Sequence, residues 1–234
     1  MKRRIISHLA SLILVVAFFT ANGCTKTDTG IKVDPPGTRT YLALGDSYTI
    51  GESVAESDRF PAQTVALLKN KGITVGTPEY IARTGWTTID LQNAIKAGAK
   101  RSAYDIVTLL IGVNDQYQGM DTAGYRTRFS QLLETAVSLA GEQATHVFVL
   151  SIPDYSVTPF GGGSKKIQAE VDAFNRINRQ VTAAREITYV DITPVSRQAG
   201  SDQSFTANDG LHPSAKQYAQ WAQLLSISIE TVLK

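Results

Sequence analysis

Two residues far apart in this chain have the chemistry of a nucleophile and its base. Ser47 stands in Gly45-Asp46-Ser47-Tyr48, and His212 in Asp209-Gly210-Leu211-His212-Pro213. A serine hydroxyl attacks a carbonyl poorly unless an adjacent group takes its proton. Past residue 23 the only imidazoles are His146 and His212. His146 opens an apolar run and reads as a structural residue, which leaves His212, in a polar loop, as the base. Asp209 lies three residues earlier, close enough for its carboxylate to hold one ring nitrogen while the other faces Ser47. That pairing fixes the tautomer and stabilises the imidazolium. Acyl transfer also needs donors for the developing oxyanion. Three are available: the backbone N–H of Ser47, the backbone N–H of Gly85, and the side-chain amide of Asn114. Glycine at 85 would let a substrate approach the backbone closely.

These residues need elements to carry them, and the rest of the chain supplies an alternating pattern. Apolar runs at 41–44, 105–112, 146–152 and 187–192 read as strands, with a weaker one at 73–82 split by Gly76 and Pro78. The nearly continuous run 105–112 marks a strand buried on both faces. Helical spacing covers 60–71, 88–97, 123–140, 166–185 and 214–233. Pro61 opens the first of these and Gly72 follows its end. Strand and helix alternating about five times predicts an α/β fold, a three-layer α/β/α sandwich around a flavodoxin-like five-stranded parallel sheet. Ligands of such sheets bind beyond the carboxyl ends of the strands. Ser47, Gly85 and Asn114 all fall in loops at such ends.

Taken singly, Gly-Asp-Ser and Gly-x-Asn-Asp are common turn chemistry. Their order and spacing carry more. Gly45-Asp46-Ser47-Tyr48, a loop glycine at 85, Gly112-Val113-Asn114-Asp115 and Asp209-Gly210-Leu211-His212 resemble the conserved blocks of the SGNH/GDSL hydrolase family, over about residues 40–234. Tyr48 replaces the leucine usual in the first block. The resemblance implies an esterase or lysophospholipase-like enzyme that uses Ser47, His212 and Asp209 as catalytic residues, and Ser47, Gly85 and Asn114 as the oxyanion hole. It implies no cofactor and no metal. Asp46 and Asp115 are read as bracing their loops. Trp86, Tyr117, Tyr155 and Phe160 suit either an acyl groove or a sugar platform. The substrate is therefore expected to be a small-molecule, lipid or glycan ester, with a carbohydrate O-deacetylase as the alternative enzyme. A rival of another class is a non-catalytic surface binding lipoprotein on a hydrolase scaffold. Gly-x-Ser-x-Gly, Gly-x-Gly-x-x-Gly and a phosphate loop are all missing from the sequence.

Composition narrows the setting. Apolar residues make up 43% of the 234 and charged residues 19%, as in an ordinary globular domain. The formal charge of +2 owes three of its positive charges to Lys2, Arg3 and Arg4, and the remainder is close to neutral. That balance gives no reason to expect a nucleic-acid partner. The start has the layout of an export signal: a basic opening, a mostly apolar stretch over 5–19, then Thr20-Ala21-Asn22-Gly23. The apolar stretch is shorter than the ~20 residues a spanning helix needs. The single cysteine, Cys24, follows at once and resembles the lipidated first residue of bacterial lipoproteins. The expected plan is a signal peptide over 1–23, a flexible Pro/Gly-rich tether over 24–39, and a hydrolase domain over 40–234. The protein would be exported and held at the membrane of the cell envelope by its lipidated Cys24.

Overall fold

The computed structural model describes residues 35–234. The expected signal peptide, Cys24 and the first part of the tether lie outside the described residues. In chain order the elements are β1 (Tyr41–Gly45), α1 (Ser47–Ile50), α2 (Phe60–Asn70), β2 (Glu79–Ala82), α3 (Thr88–Gly98), β3 (Ile106–Leu110), α4 (Val113–Tyr117), α5 (Thr122–Leu139), β4 (Val147–Leu150), α6 (Lys165–Ala183), β5 (Thr188–Val190), α7 (Thr193–Ser196) and α8 (Ala215–Leu233). The strands form one parallel sheet in the order β2-β1-β3-β4-β5. This is the expected flavodoxin-like sandwich.

Burial follows position in the sheet. Every residue of β1, β3 and β4 is buried, whereas the edge strands β2 and β5 are only partly so. The apolar runs of the sequence are continuous for this reason: a central parallel strand has helices on both faces. One helix layer pairs α2 with α8. Phe60, Tyr218 and Trp221 meet there, with Phe60 ring centroids 6.4 and 6.3 Å from the other two. The second layer packs α5 against α3 and α6. Each large side chain removed from water contributes about 1.5–3 kcal/mol, so these layers hold the sheet rigid beneath its loops.

Helix starts are set by local chemistry. Pro61 lies in the first turn of α2, where the missing N–H costs nothing. Thr87 and Asp90 form a reciprocal capping box on α3. Ser164 and Ser214 cap α6 and α8.

The second strand is shorter than the 73–82 expected. It begins only at Glu79, because Pro78 supplies no ladder N–H. Upstream, Val75 keeps a single bridge to Arg39. Arg39, at the end of the expected tether, also donates its backbone N–H to the Thr74 carbonyl and pairs with Asp105 at 3.1 Å. Among the described residues no helix is long and apolar enough to cross a membrane.

Candidate active site

The carboxyl ends of β1, β2 and β3 deliver Ser47, Gly85 and Asn114 to one place. The strand order reverses between β1 and β3, so a crevice opens above that junction. Ser47, Gly85, Asn114 and His212 all line the cleft that lies there, of about 220 Å³.

Ser47 is the first residue of α1, directly after β1. Two neighbours shape that turn. Gly45 must be glycine, since a Cβ there would collide with the Leu110 carbonyl and the Thr49 side chain. Asp46 caps the helix, its Oδ1 accepting from the Tyr48 N–H at 3.0 Å. Asp46 is buried and its Oδ2 has no partner. Burial raises its pKa to about 8; the Tyr48 N–H opposes that shift, and the like charge of Asp115 adds to it.

His212 is held by its own loop. Asp209 Oδ1 accepts the backbone N–H groups of Leu211 and His212, each at 2.9 Å, and Oδ2 lies 2.6 Å from His212 Nδ1. Nε2 is left for the cleft. Partial burial works against the Asp209 charge. The Ser53 hydroxyl, the two backbone N–H groups and the imidazole outweigh it and hold the carboxyl well below its ordinary range. The Tyr48 ring packs edge-on to the His212 ring at 5.6 Å and to Trp221 at 6.3 Å. The tyrosine in place of leucine thus backs the imidazole with an aromatic wall. Among the described residues Ser47 Oγ and His212 Nε2 have no hydrogen bond; each meets the cleft unpaired. In the absence of substrate, catalytic hydrogen bonds are commonly long or unmade.

The oxyanion donors differ in how they are held. Asn114 sits in the first turn of α4 and donates one amide hydrogen to the Trp86 carbonyl at 3.0 Å. That bond aims the amide and leaves its second hydrogen for a ligand. Gly85 has φ +80°, and a Cβ there would meet nothing. Glycine is required by the left-handed backbone, with open space already around it. Asp115 braces, as expected: it accepts from Thr88 N–H and Thr88 Oγ and pairs with Arg128 at 3.2 Å.

Sequence reasoning missed the segment after α1. Ser53, with φ +67°, donates its hydroxyl to Asp209 Oδ2 at 2.6 Å. Glu52 accepts from Thr84 Oγ beside Gly85. One short stretch therefore ties the Ser47 loop to the loops of Gly85 and His212. No local signal marks it; the one clue is a non-glycine residue with positive φ, which only coordinates reveal.

The remaining walls are aromatic. Tyr117, Tyr155 and Phe160 line the cleft. Trp86 does not, because its ring packs against the core. The segment after β4 folds back on the His212 loop through a bond from Phe160 N–H to the Gly210 carbonyl. One loop thus both covers the core, through Tyr155, and lines the cleft, through Tyr155 and Phe160. His146 lies in a turn before β4, at the other end of the sheet. Among the described residues no cluster of His, Cys, Asp or Glu offers a metal site.

Comparison with known proteins agrees with this architecture. Residues 43–220 match the model of the GDSL-like Lipase/Acylhydrolase family. No curated protein matches the chain. Similar solved structures include TesA, with 18% identity and a TM-score of 0.67, covering 83% of this chain and 100% of its own. A lipase/acylhydrolase from Enterococcus faecalis shows 22% identity and a TM-score of 0.67, covering 84% and 98%. An acetylxylan esterase from Geobacillus stearothermophilus shows 18% and 0.65, covering 82% and 95%. At such identities these likenesses establish the fold, while the family match spans most of the chain. The chain belongs to the GDSL-like lipase/acylhydrolase family and is a carboxylic ester hydrolase.

Proposed function

We propose that the protein hydrolyses esters by a two-step acyl transfer through Ser47, His212 and Asp209. One observation carries this reading: the paired Asp209–His212 imidazole and the Ser47 hydroxyl open into the same cleft. His212 Nε2 takes the Ser47 proton as Oγ attacks the ester carbonyl. The Ser47 and Gly85 N–H groups and the Asn114 amide stabilise the oxyanion. The tetrahedral species collapses, the C–O bond to the alcohol breaks, and His212 returns the proton to the departing oxygen. Water, deprotonated by His212, then attacks the acyl carbonyl; the C–O bond to Ser47 Oγ breaks, His212 returns the proton to Oγ, and the acid leaves. Asp209 stays ionised throughout and orients the ring. The low pKa of its carboxyl supports that role.

We further propose that this chemistry takes place outside the cytoplasm, on a protein anchored through lipidated Cys24. The sequence over 1–24 supports that setting. One experiment tests both readings. The full chain is produced in a bacterium and labelled with a fluorophosphonate, and p-nitrophenyl acetate turnover is followed in each cell fraction. Wild-type label and turnover are expected in the membrane fraction. Ser47→Ala should abolish both while remaining folded, and Cys24→Ser should move both out of the membrane. A Ser47→Ala protein with full turnover ends the mechanism. A Cys24→Ser protein that stays with the membrane ends the anchoring.

A further inference from the structure

Tyr117 and Tyr155 of the Ser47 cleft also line a second, neighbouring groove of about 480 Å³. Alone, the Ser47 cleft falls short of the ~300–1,000 Å³ typical of small-molecule sites; with the groove it reaches that range. We propose that the groove is a second substrate subsite which takes a sugar ring of an acylated saccharide, with a short acyl ester at Ser47. This assignment rests on the ester-hydrolase reading above and names its substrate class.

The lining points to a hydroxylated ligand. Gln116 is buried, with 6% exposure, yet both ends of its amide are fixed. It accepts from Tyr155 Oη at 3.0 Å and donates to Glu170 Oε2 at 2.8 Å. This chain of bonds aims the Glu170 carboxylate at the groove. Lys166 lies 3.8 Å from Glu170 Oε1, too far for a tight pair, so each keeps bonding capacity for vicinal hydroxyls. On the Ser47 cleft beside the groove, Tyr117 and Phe160 are 62% and 55% exposed with ring centroids 6.2 Å apart. Exposed aromatic faces suit the C–H face of a sugar, which is apolar on that side and polar at its rim. Ile167 and Phe174 add further apolar wall to the same groove.

A long acyl chain fits this groove poorly. Its methylenes would take water from Glu170, Lys166 and Asp121, which line it. Stripping water from a carboxylate or ammonium without a replacement partner outweighs the gain from a few methylenes. A sugar hydroxyl replaces that water and a methylene does not.

The test compares glucose pentaacetate, p-nitrophenyl acetate and p-nitrophenyl octanoate on the wild-type protein and on Glu170→Ala and Tyr117→Ala variants, each checked for folding by its melting curve. The wild type should prefer the acetate to the octanoate and hydrolyse glucose pentaacetate. Each variant should lose at least tenfold more kcat/KM on glucose pentaacetate than on p-nitrophenyl acetate, mainly through KM. Equal losses on both substrates, or a wild-type preference for octanoate, overturn the subsite while leaving the esterase intact. No turnover of any ester by the wild type overturns the hydrolase reading, and this assignment with it.

Discussion

Replacing Ser53 by alanine removes a single hydrogen bond, to Asp209 Oδ2, the same oxygen that lies 2.6 Å from His212 Nδ1. Hydrogen bonds to charged groups contribute about 1.5–3 kcal/mol. Asp209 is 30% exposed in its side chain, and solvent screening brings the expected effect down to about 1 kcal/mol. Expressed as lost positioning of the His212 imidazole, that loss should lower kcat/KM about fivefold, since ~1.4 kcal/mol is tenfold in rate. Backbone strain could mimic the rate loss, because Ser53 has φ +67°. Ser53→Gly separates the two: it relieves the left-handed conformation but also lacks the hydroxyl. Both variants should lose rate alike, measured with p-nitrophenyl acetate. A glycine variant with wild-type rate would refute the argument, since the hydroxyl would then be irrelevant to how Asp209 holds His212.

Two further predictions follow from the loops on either side. Asn114→Ala should lower kcat by about 10²–10³ with little change in KM, because the amide acts on charge that develops only in the transition state; a change confined to KM would show that it binds ground state and transition state equally. Asp46 retains its proton to about pH 8 in the folded chain, against 3.8 for an ordinary carboxyl. Between those values the unfolded chain binds fewer protons than the folded one, so stability falls as pH rises through that window. Asp46→Asn keeps the cap and removes the titration. Its melting temperature should gain on that of the wild type from pH 5 to 8; a constant difference across that range would refute the assignment.

Legibility in the sequence tracked how local the cause was. β3 could be read from its apolar run because a strand covered on both faces admits little else. The capping box at Thr87 and Asp90 is likewise written in neighbouring residues. Pro78 was visible, but its consequence depends on which N–H groups the sheet needs, and the upstream half of the expected strand was lost to it. Gly85 stands out in the sequence as a loop glycine, but the left-handed φ that by itself requires glycine there shows only in the coordinates. Trp86 and Tyr117 look alike as aromatics in loops. Only packing separates the ring that joins the core from the one left at the cleft mouth.

The ties among the loops lay beyond sequence reasoning for a deeper reason. Ser53 and Asp209 are 156 residues apart, and nothing in either neighbourhood signals the other. The sheet fixes where β1, β2 and β3 end, which brings Ser47, Gly85 and Asn114 together to within the slack of their loops. His212 arrives by a different route, on the loop before α8, and no strand end fixes its distance from Ser47. That distance depends on contacts between loops: Ser53 on Asp209, Phe160 on Gly210, and Tyr48 against the imidazole. Positioning errors of about 1 Å are costly in catalysis, so these contacts, and not the sheet, must set the last part of the geometry. The motif residues specify which groups react; the residues between them specify whether those groups meet.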